Sequence, residues 1–207
     1  MKYNIILLIG LLALAACTAP PEDIPRATDT EAGDGMERIQ PGDAMERIEP
    51  GDTAVTEAMD GTVPLSKEKS TFEFEGYGPG KSHIGTFTEG SGTMTFEDGK
   101  IVQVTGIIQA DSVVSDGERL ENHLRSADFF DVENYPTIEA VSTEIDHDAG
   151  QITGDLTFLG VTKSITFPAT ITDDTVSAEF VIDSHEWGMV YTGVDAEVRI
   201  AFTFVAE

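Results

Sequence analysis

Histidine is the residue type in this sequence that is best suited to acid–base or metal chemistry. There are four, His83, His123, His147 and His185, and the chain has a single cysteine. No two histidines are spaced i, i+4 around a glutamate, so a zinc site would need residues of distant strands to converge. Ser82 lies beside His83, but no nucleophile elbow supports a serine–histidine–acid triad. We therefore predict no metal site, no cofactor and no catalytic residue.

Arg125 is a side chain that could hold an anionic head group through two parallel hydrogen bonds. The alternative, which we favour, is an ion pair with Asp128 or Asp131 on the same stretch of chain. For His83 and His123, the alternative to contacting a bound molecule is a hydrogen bond with a structural role. These three side chains, Arg125, His83 and His123, are the candidate polar contacts for a bound molecule.

The first residues predict export. Met1-Lys2 is a short positive start, residues 5–16 form an apolar run, and Cys17 follows Leu-Ala-Ala. This is the layout of a secretory signal peptide, and the run is shorter than the roughly 20 residues of a membrane-spanning helix. The cysteine resembles that of a prokaryotic lipobox, which implies cleavage after residue 16, acylation of Cys17 and a lipoprotein anchored in the periplasm or on the cell surface. The alternative is an ordinary cysteine in a signal peptide cleaved elsewhere.

Residues 17–64 have the composition of a disordered linker. The segment contains 12 acidic and 3 basic residues and no aromatic ring, so it offers too little apolar surface to offset the entropy of ordering. A nine-residue repeat runs through it, as GDGMERIQP from Gly33, GDAMERIEP from Gly42 and a degraded copy from Gly51. Repeats this short do not build a shared core. We interpret them as duplicated linker sequence, with a short recognition motif as the alternative.

The charge of the chain argues against a nucleic-acid partner. The formal net charge is −26, and the lysines and arginines are not clustered, whereas a DNA or RNA binder needs a positive face to neutralise phosphates. A single cysteine also leaves no disulfide framework. Residues 65–207, the length of one ordinary domain, must therefore be held together by a core. The oligomeric state is left open, with a homodimer as one option.

Period-two alternation dominates residues 65–207. Apolar and polar residues alternate from Ala196 to Glu207 and again from Val176 to Asp183, as in half-buried strands. Turn residues such as Asp98-Gly99 and Asp173-Asp174 separate the runs. About eight strands with no long helix between them predict an antiparallel barrel or sandwich rather than a parallel α/β sheet.

The block from Glu121 to Ala140 departs from this alternation. Leu120, His123 and Leu124 have the spacings of three and four that predict a short helix from Glu118 to Ser126. Pro136 prevents a helix from continuing into the next strand. We predict a helical crossover. Its Phe129 and Phe130 are expected to plug one end of a barrel and to contribute to an apolar wall.

Four segments stand out between roughly residues 70 and 206: HIGTF from His83, HLRSADFFDVENYPTIEA from His123, GDLTFLGVTKSITFPA from Gly154 and WGMVY from Trp187. Together they resemble the YceI-like family of polyisoprenoid-binding proteins. It implies an exported protein with an extended, eight-stranded, antiparallel, lipocalin-like barrel. It also implies a long isoprenoid or quinone-like chain held inside that barrel, and no catalytic activity.

We thus predict an all-β fold: a signal peptide at 1–16, a lipid-anchored linker at 17–64, and an eight-stranded antiparallel lipocalin-like barrel with a short helical crossover at 65–207. Alternation gives the candidate wall of the cavity, although a one-residue slip of register would turn the opposite face inward. With the two crossover phenylalanines, the candidate wall residues are Phe72, Phe74, Val102, Val104, Ile108, Phe129, Phe130, Phe158, Phe180, Ile182, Ile200 and Phe202.

The predicted function is binding, storage or transport of an isoprenoid-type lipid, a polyprenol or a quinone-like molecule, outside the cytoplasm. The predicted partners are this lipid and the membrane that holds the acylated Cys17. One alternative is a structural or stress-protective surface lipoprotein whose interior is filled by its own side chains. The other is a hydrolase or redox accessory that depends on His83, His123 or His185.

Overall fold

The computed structural model describes residues 19–30 and 59–207. The predicted signal peptide, the predicted anchor Cys17 and the repeats as far as residue 58 lie outside these ranges. None of the helices in the two described ranges has the length and apolar character needed to cross a membrane.

The described chain is built from β-strands, one α-helix and two 3₁₀ turns. The strands are β1 (Thr28–Asp29), β2 (Gly61–Pro64), β3 (Thr71–Gly78), β4 (Lys81–Phe87), β5 (Gly90–Glu97), β6 (Lys100–Gln109), β7 (Val113–Val114), β8 (Thr137–Asp146), β9 (Gln151–Phe158), β10 (Val161–Pro168), β11 (Thr170–Ile171), β12 (Thr175–Asp183) and β13 (Glu197–Val205). Helix α1 covers Glu118–Arg125, and the 3₁₀ turns cover Ala110–Ser112 and Ser184–Trp187.

The strands form two antiparallel sheets. The seven-stranded sheet has the order β1-β10-β9-β8-β6-β5-β2, and the six-stranded sheet has the order β11-β12-β13-β3-β4-β7. Two-residue turns join β5 to β6 at Asp98-Gly99 and β9 to β10 at Leu159-Gly160, and all four turn residues have positive φ. Positive φ at both central residues gives a hairpin turn whose twist matches that of the strands. The first of these turns was predicted from its Asp98-Gly99 sequence.

The predicted all-β antiparallel fold with a short helical crossover is confirmed, and α1 ends one residue before the predicted position. The number of strands and their closure differ from the prediction. The described strands form two sheets rather than one continuous ring of eight. Four strands, β1, β2, β7 and β11, have only two to four residues, which is too short for alternation to reveal them.

Two parts of the predicted disordered linker are ordered. Strand β1 pairs with β10, and β2 pairs with β5. Composition predicted disorder because these residues cannot build a core of their own. The edges of β10 and β5 instead supply backbone hydrogen-bond partners, which composition does not report.

The core consists of two clusters. One surrounds the inner faces of β3, β10, β12 and β13 together with α1, and includes Phe130, Phe180 and Trp187. The other is centred on Met94, Phe96 and Ile101 of the β5–β6 hairpin, which are almost completely buried. Residues of both clusters line the cavity described next.

Candidate functional site

An apolar cavity of about 720 Å³ lies between the two sheets. Its volume falls within the roughly 300–1,000 Å³ that is usual for small-molecule sites. The wall is made of aromatic and aliphatic side chains from the inner faces of both sheets and from the crossover. Such a wall can bury a hydrocarbon but offers few groups for catalysis.

Eleven of the twelve predicted wall residues line this cavity. They are Phe72, Phe74, Val104, Ile108, Phe129, Phe130, Phe158, Phe180, Ile182, Ile200 and Phe202. Alternation therefore identified the inward face of β3, β12 and β13 correctly. That these residues contact a bound ligand stays a prediction.

Val102 is the exception, because a β-bulge turns it outward. Thr95 of β5 pairs with Gln103, but its neighbour Phe96 pairs with Ile101, so Val102 has no partner of its own. An extra residue in a strand reverses the face on which the following side chains lie. Val102 is 38% exposed, whereas Ile101, which was not predicted as an interior residue, is 1% exposed.

The two crossover phenylalanines line the cavity and pack against other aromatic rings. The ring of Phe130 lies 5.6 Å from that of Phe74, 5.4 Å from Phe87 and 5.8 Å from Phe158, measured between centroids. The ring of Phe129 contacts His123 at 4.9 Å. Phe130 thus joins both sheets to the crossover, which makes this block a structural plug as well as a part of the wall.

None of the three candidate polar contacts lines the cavity. His83 Nδ1 is hydrogen-bonded to the Asp116 carboxylate at 2.5 Å, and His123 Nε2 to the Asp128 carboxylate at 3.1 Å. In the described part of the chain, neither histidine is bonded to a serine or threonine hydroxyl that could act as a nucleophile. The structure therefore favours the structural alternative for both. No group of three metal-ligating side chains occurs within residues 19–30 and 59–207.

The contacts of Arg125 differ from both predictions, the head-group contact and the ion pair with Asp128 or Asp131. Its Nε donates to the carbonyl of Asp111 at 2.7 Å and its Nη2 to the carbonyl of Val113 at 2.5 Å. Its closest carboxylate is that of Glu121, one helical turn earlier at 4.0 Å, rather than Asp128 or Asp131. Arg125 therefore links α1 to the 3₁₀ turn Ala110–Ser112 and to β7, and it does not line the cavity.

Arg125→Met is expected to lower the free energy of unfolding by roughly 1.5–3 kcal/mol, because hydrogen bonds from a charged donor to two carbonyls are lost. Methionine keeps most of the aliphatic length of the arginine side chain. The affinity for an anionic amphiphile should stay unchanged. Chemical denaturation and a binding titration with farnesyl phosphate test both parts, and a selective loss of farnesyl phosphate binding would restore the head-group role.

Sequence reasoning missed part of the wall and all of its polar edge. Further apolar residues at the cavity are Leu124, Ile138, Leu156, Ile165, Phe167, Val176, Met189, Val194, Val198 and Phe204. Ile138, Leu156, Ile165 and Phe167 lie in β8, β9 and β10, where period-two spacing was available as a signal, and Val176, Val198 and Phe204 follow the alternation already noted in β12 and β13. The polar edge comes from the segment before β3, residues 66–70, and from the connection between β4 and β5, residues 88–89, which include Lys67 and Glu89. Lys67 is the one cation among the described residues that line the cavity, and no motif marks it.

One inward position has no side chain. Gly106 lies on the inner face of β6 between Val104 and Ile108, and a Cβ placed on it would meet no atom within 4 Å. A glycine inside a strand weakens the strand, and it often marks a place where a ligand or another backbone comes close. Gly106 therefore opens directly onto the cavity.

A second concavity, of about 800 Å³, lies on the six-stranded sheet. Most of its lining consists of Ser, Thr and Glu side chains such as Thr71, Glu73, Ser177, Glu179 and Thr203. These residues alternate with the inward-facing ones, so they belong to the outer face of the sheet. The apolar inner cavity is the better enclosed of the two and is the candidate site.

Comparison with known proteins agrees with this arrangement. Residues 63–206 match the model of the YceI-like domain. Protein YceI of Escherichia coli O157:H7 is 34% identical over 120 residues, which are 56% of this chain and 59% of that protein. The matched region is thus less than two thirds of the relative's length.

Two solved structures share the fold. Burkholderia cenocepacia BcnA superposes with a TM-score of 0.61 at 23% identity, over 69% of this chain and 99% of that one. A polyisoprenoid binding domain from Saccharophagus degradans, implicated in plant cell wall breakdown, superposes with a TM-score of 0.56 at 12% identity, over 72% of this chain and 100% of that one. Identities this low establish the fold alone. Because the domain model matches most of the described residues, the chain belongs to the YceI-like family.

Proposed function

We propose that this protein binds an isoprenoid-type lipid in the cavity between its two sheets and stores or transports it outside the cytoplasm. The observation that carries the proposal is the apolar cavity of about 720 Å³ between the two sheets. The alternative of a ligand-free structural protein predicts an interior filled by side chains, which does not account for a cavity of this volume. The Saccharophagus degradans domain, described as polyisoprenoid binding, suggests the class of lipid.

Burial of hydrocarbon is the source of affinity. Each methylene group removed from water contributes about 0.8 kcal/mol, so a prenyl chain supplies several kcal/mol before the entropy cost of association. An isoprenoid requires no hydrogen bonds along its length, which suits a wall of Phe, Ile, Leu and Val side chains. The polar edge with Lys67 and Glu89 is where a hydroxyl, quinone or phosphate head group would lie.

The test of this function is native mass spectrometry of the full chain purified from its own host, followed by organic extraction. A stoichiometric prenyl lipid is the expected result and would identify the ligand. An apo mass that stays unchanged after incubation with ubiquinone and polyprenols would overturn the proposal and favour the ligand-free structural protein.

The proposed location rests on the lipobox-like sequence at Cys17. Acyl chains at the new N-terminus would hold the protein on a membrane, and more than one chain is needed for stable anchoring. Cys17→Ser is expected to remove the acyl mass and to move the protein from the membrane fraction to the soluble fraction. Cell fractionation and intact mass measure both changes; unchanged membrane retention of the variant would contradict the anchor.

A further inference from the structure

Residues 24–30, here called the strap, lie across the junction between the two sheets. Strand β1 within the strap pairs antiparallel with β10 through Thr28 and Asp29. The preceding residues bond to β12: the Ala27 N–H donates to the Val181 carbonyl, and the Val181 N–H donates to the Pro25 carbonyl, both at 2.9 Å. One short segment therefore holds together an edge of each sheet.

The strap is also held by ion pairs at its two ends. The guanidinium of Arg26 donates to both carboxylate oxygens of Glu197, at 2.6 and 2.9 Å. Lys163 of β10 lies 3.4 Å from Asp29 and 3.4 Å from Glu186. The Arg26–Glu197 pair has the two-bond geometry that makes an arginine–carboxylate contact specific.

The junction covered by the strap lies beside the cavity. Strands β10 and β12 are not paired with each other, and β11 covers β12 only near Val176 and Ser177. The inner side chains of both strands at this junction, among them Ile165, Phe180 and Ile182, line the cavity. Ala27 of the strap packs against the same apolar cluster. Removing the strap would leave two unpaired strand edges in front of the cavity wall.

The strap is held weakly compared with the rest of the fold. It has only two residues of regular pairing with β10, and its ion pairs are partly exposed. Exposed ion pairs contribute little to stability, and segments with few buried contacts open most readily. Local opening is therefore expected at the strap before it occurs in the long strands.

We propose that the strap is a gate: it holds β10 and β12 together over the rings of Phe167 and Phe180, which stack at 4.2 Å between the two strands, and its release lets these strands part and a lipid pass. Its backbone bonds to both strands, together with the Arg26–Glu197 pair, keep the gate closed. This inference rests on the proposed function, because it concerns how a lipid enters and leaves the cavity. Opening of the strap sets the rate of ligand exchange, while the walls of the cavity set the affinity.

The test uses the full chain loaded with the fluorescent apolar probe N-phenyl-1-naphthylamine, mixed in a stopped flow with excess geranylgeraniol. Arg26→Glu places a like charge beside Glu197, so it is expected to release the probe about fivefold faster, because the open population rises. The exchanged pair Arg26→Glu with Glu197→Arg should return the rate to within about twofold of wild type, since the attraction is restored. Arg119→Glu is the matched control, because Arg119 is exposed on α1 and shows no ion pair in the described part of the chain.

Hydrogen exchange of the strap amides shows whether each variant opens it. Ala27→Pro provides a second way to open it, because proline removes the N–H that bonds to Val181. Freely exchanging strap amides with an unchanged release rate would assign the route to the edge near Lys67 and overturn the gate. Strap amides that stay protected in both variants would equally contradict it, since these contacts would not be what holds the strap. Absence of probe binding to the wild-type protein would count against the proposed function instead.

Discussion

Gly106→Phe is expected to abolish lipid binding, weakening it by more than about a hundredfold. The side chain would extend from the inner face of β6 into space where no atom lies within 4 Å of the Cβ position. A phenyl ring there displaces several methylene groups of a ligand, and each displaced group costs about 0.8 kcal/mol. Four such groups already exceed the roughly 2.7 kcal/mol that corresponds to a hundredfold change in the dissociation constant.

The fold should tolerate this change. Glycine inside a strand is destabilising by roughly 0.5–1 kcal/mol relative to alanine, and phenylalanine is favoured in strands. The thermal midpoint of Gly106→Phe should therefore equal or exceed that of the wild type. Loss of binding together with unchanged or higher stability separates occlusion of the cavity from unfolding.

Val102→Phe is the matched control for this experiment, because it adds a phenyl ring to the same strand on the opposite face. Binding of geranylgeraniol, followed by displacement of N-phenyl-1-naphthylamine, should be normal in Val102→Phe and lost in Gly106→Phe. Normal binding in both variants would show that the ligand does not occupy this cavity. Loss in the control variant alone would show that the bulge does not turn Val102 outward.

The bulge also marks the limit of what alternation predicts. Phe180 and Ile182 of β12, and Ile200 and Phe202 of β13, lie in strands whose pairing runs without a shift, so spacing alone placed them inward. In β6, period-two spacing gave the wrong face for Val102, because the pairing of β6 with β5 shifts by one residue there. Spacing within β6 does not show where its pairing with β5 shifts. Period-two alternation shows which residues share a face only where the pairing with the neighbouring strand has no bulge.

Two other features depend on partners that lie far away in the sequence. Arg125 was compared with nearby acidic residues, but its partners are the carbonyls of Asp111 and Val113. Every residue has a carbonyl, so sequence offers no way to choose among them. The strap was predicted as linker for the same reason. Its order comes from backbone bonds to β10 and β12 and from Glu197, 171 positions away from Arg26.

Phe130→Ala is expected to have the largest effect on stability, lowering the free energy of unfolding by about 3–5 kcal/mol. The Phe130 side chain is buried and makes edge-on or tilted contacts with the rings of Phe74, Phe87 and Phe158. Each aromatic pair adds about 0.5–1.5 kcal/mol beyond area burial, and these pairs connect the crossover to both sheets. Equilibrium denaturation of the purified protein measures the change.

Comparison with Met94→Ala separates the two roles of Phe130, which are packing in the core and lining the cavity. Met94 is fully buried in the other cluster and does not line the cavity, so its truncation should cost about 2–5 kcal/mol and leave ligand preference unchanged. Phe130→Ala removes a ring from the cavity wall as well, so it should also shift the ratio of affinities towards solanesol over the shorter geranylgeraniol. If both variants lose stability and neither changes this ratio, Phe130 acts only as a plug of the core. A cost below about 1 kcal/mol for Phe130→Ala would show that the crossover does not hold the two sheets together, and lipid enclosure would then depend on the strands alone.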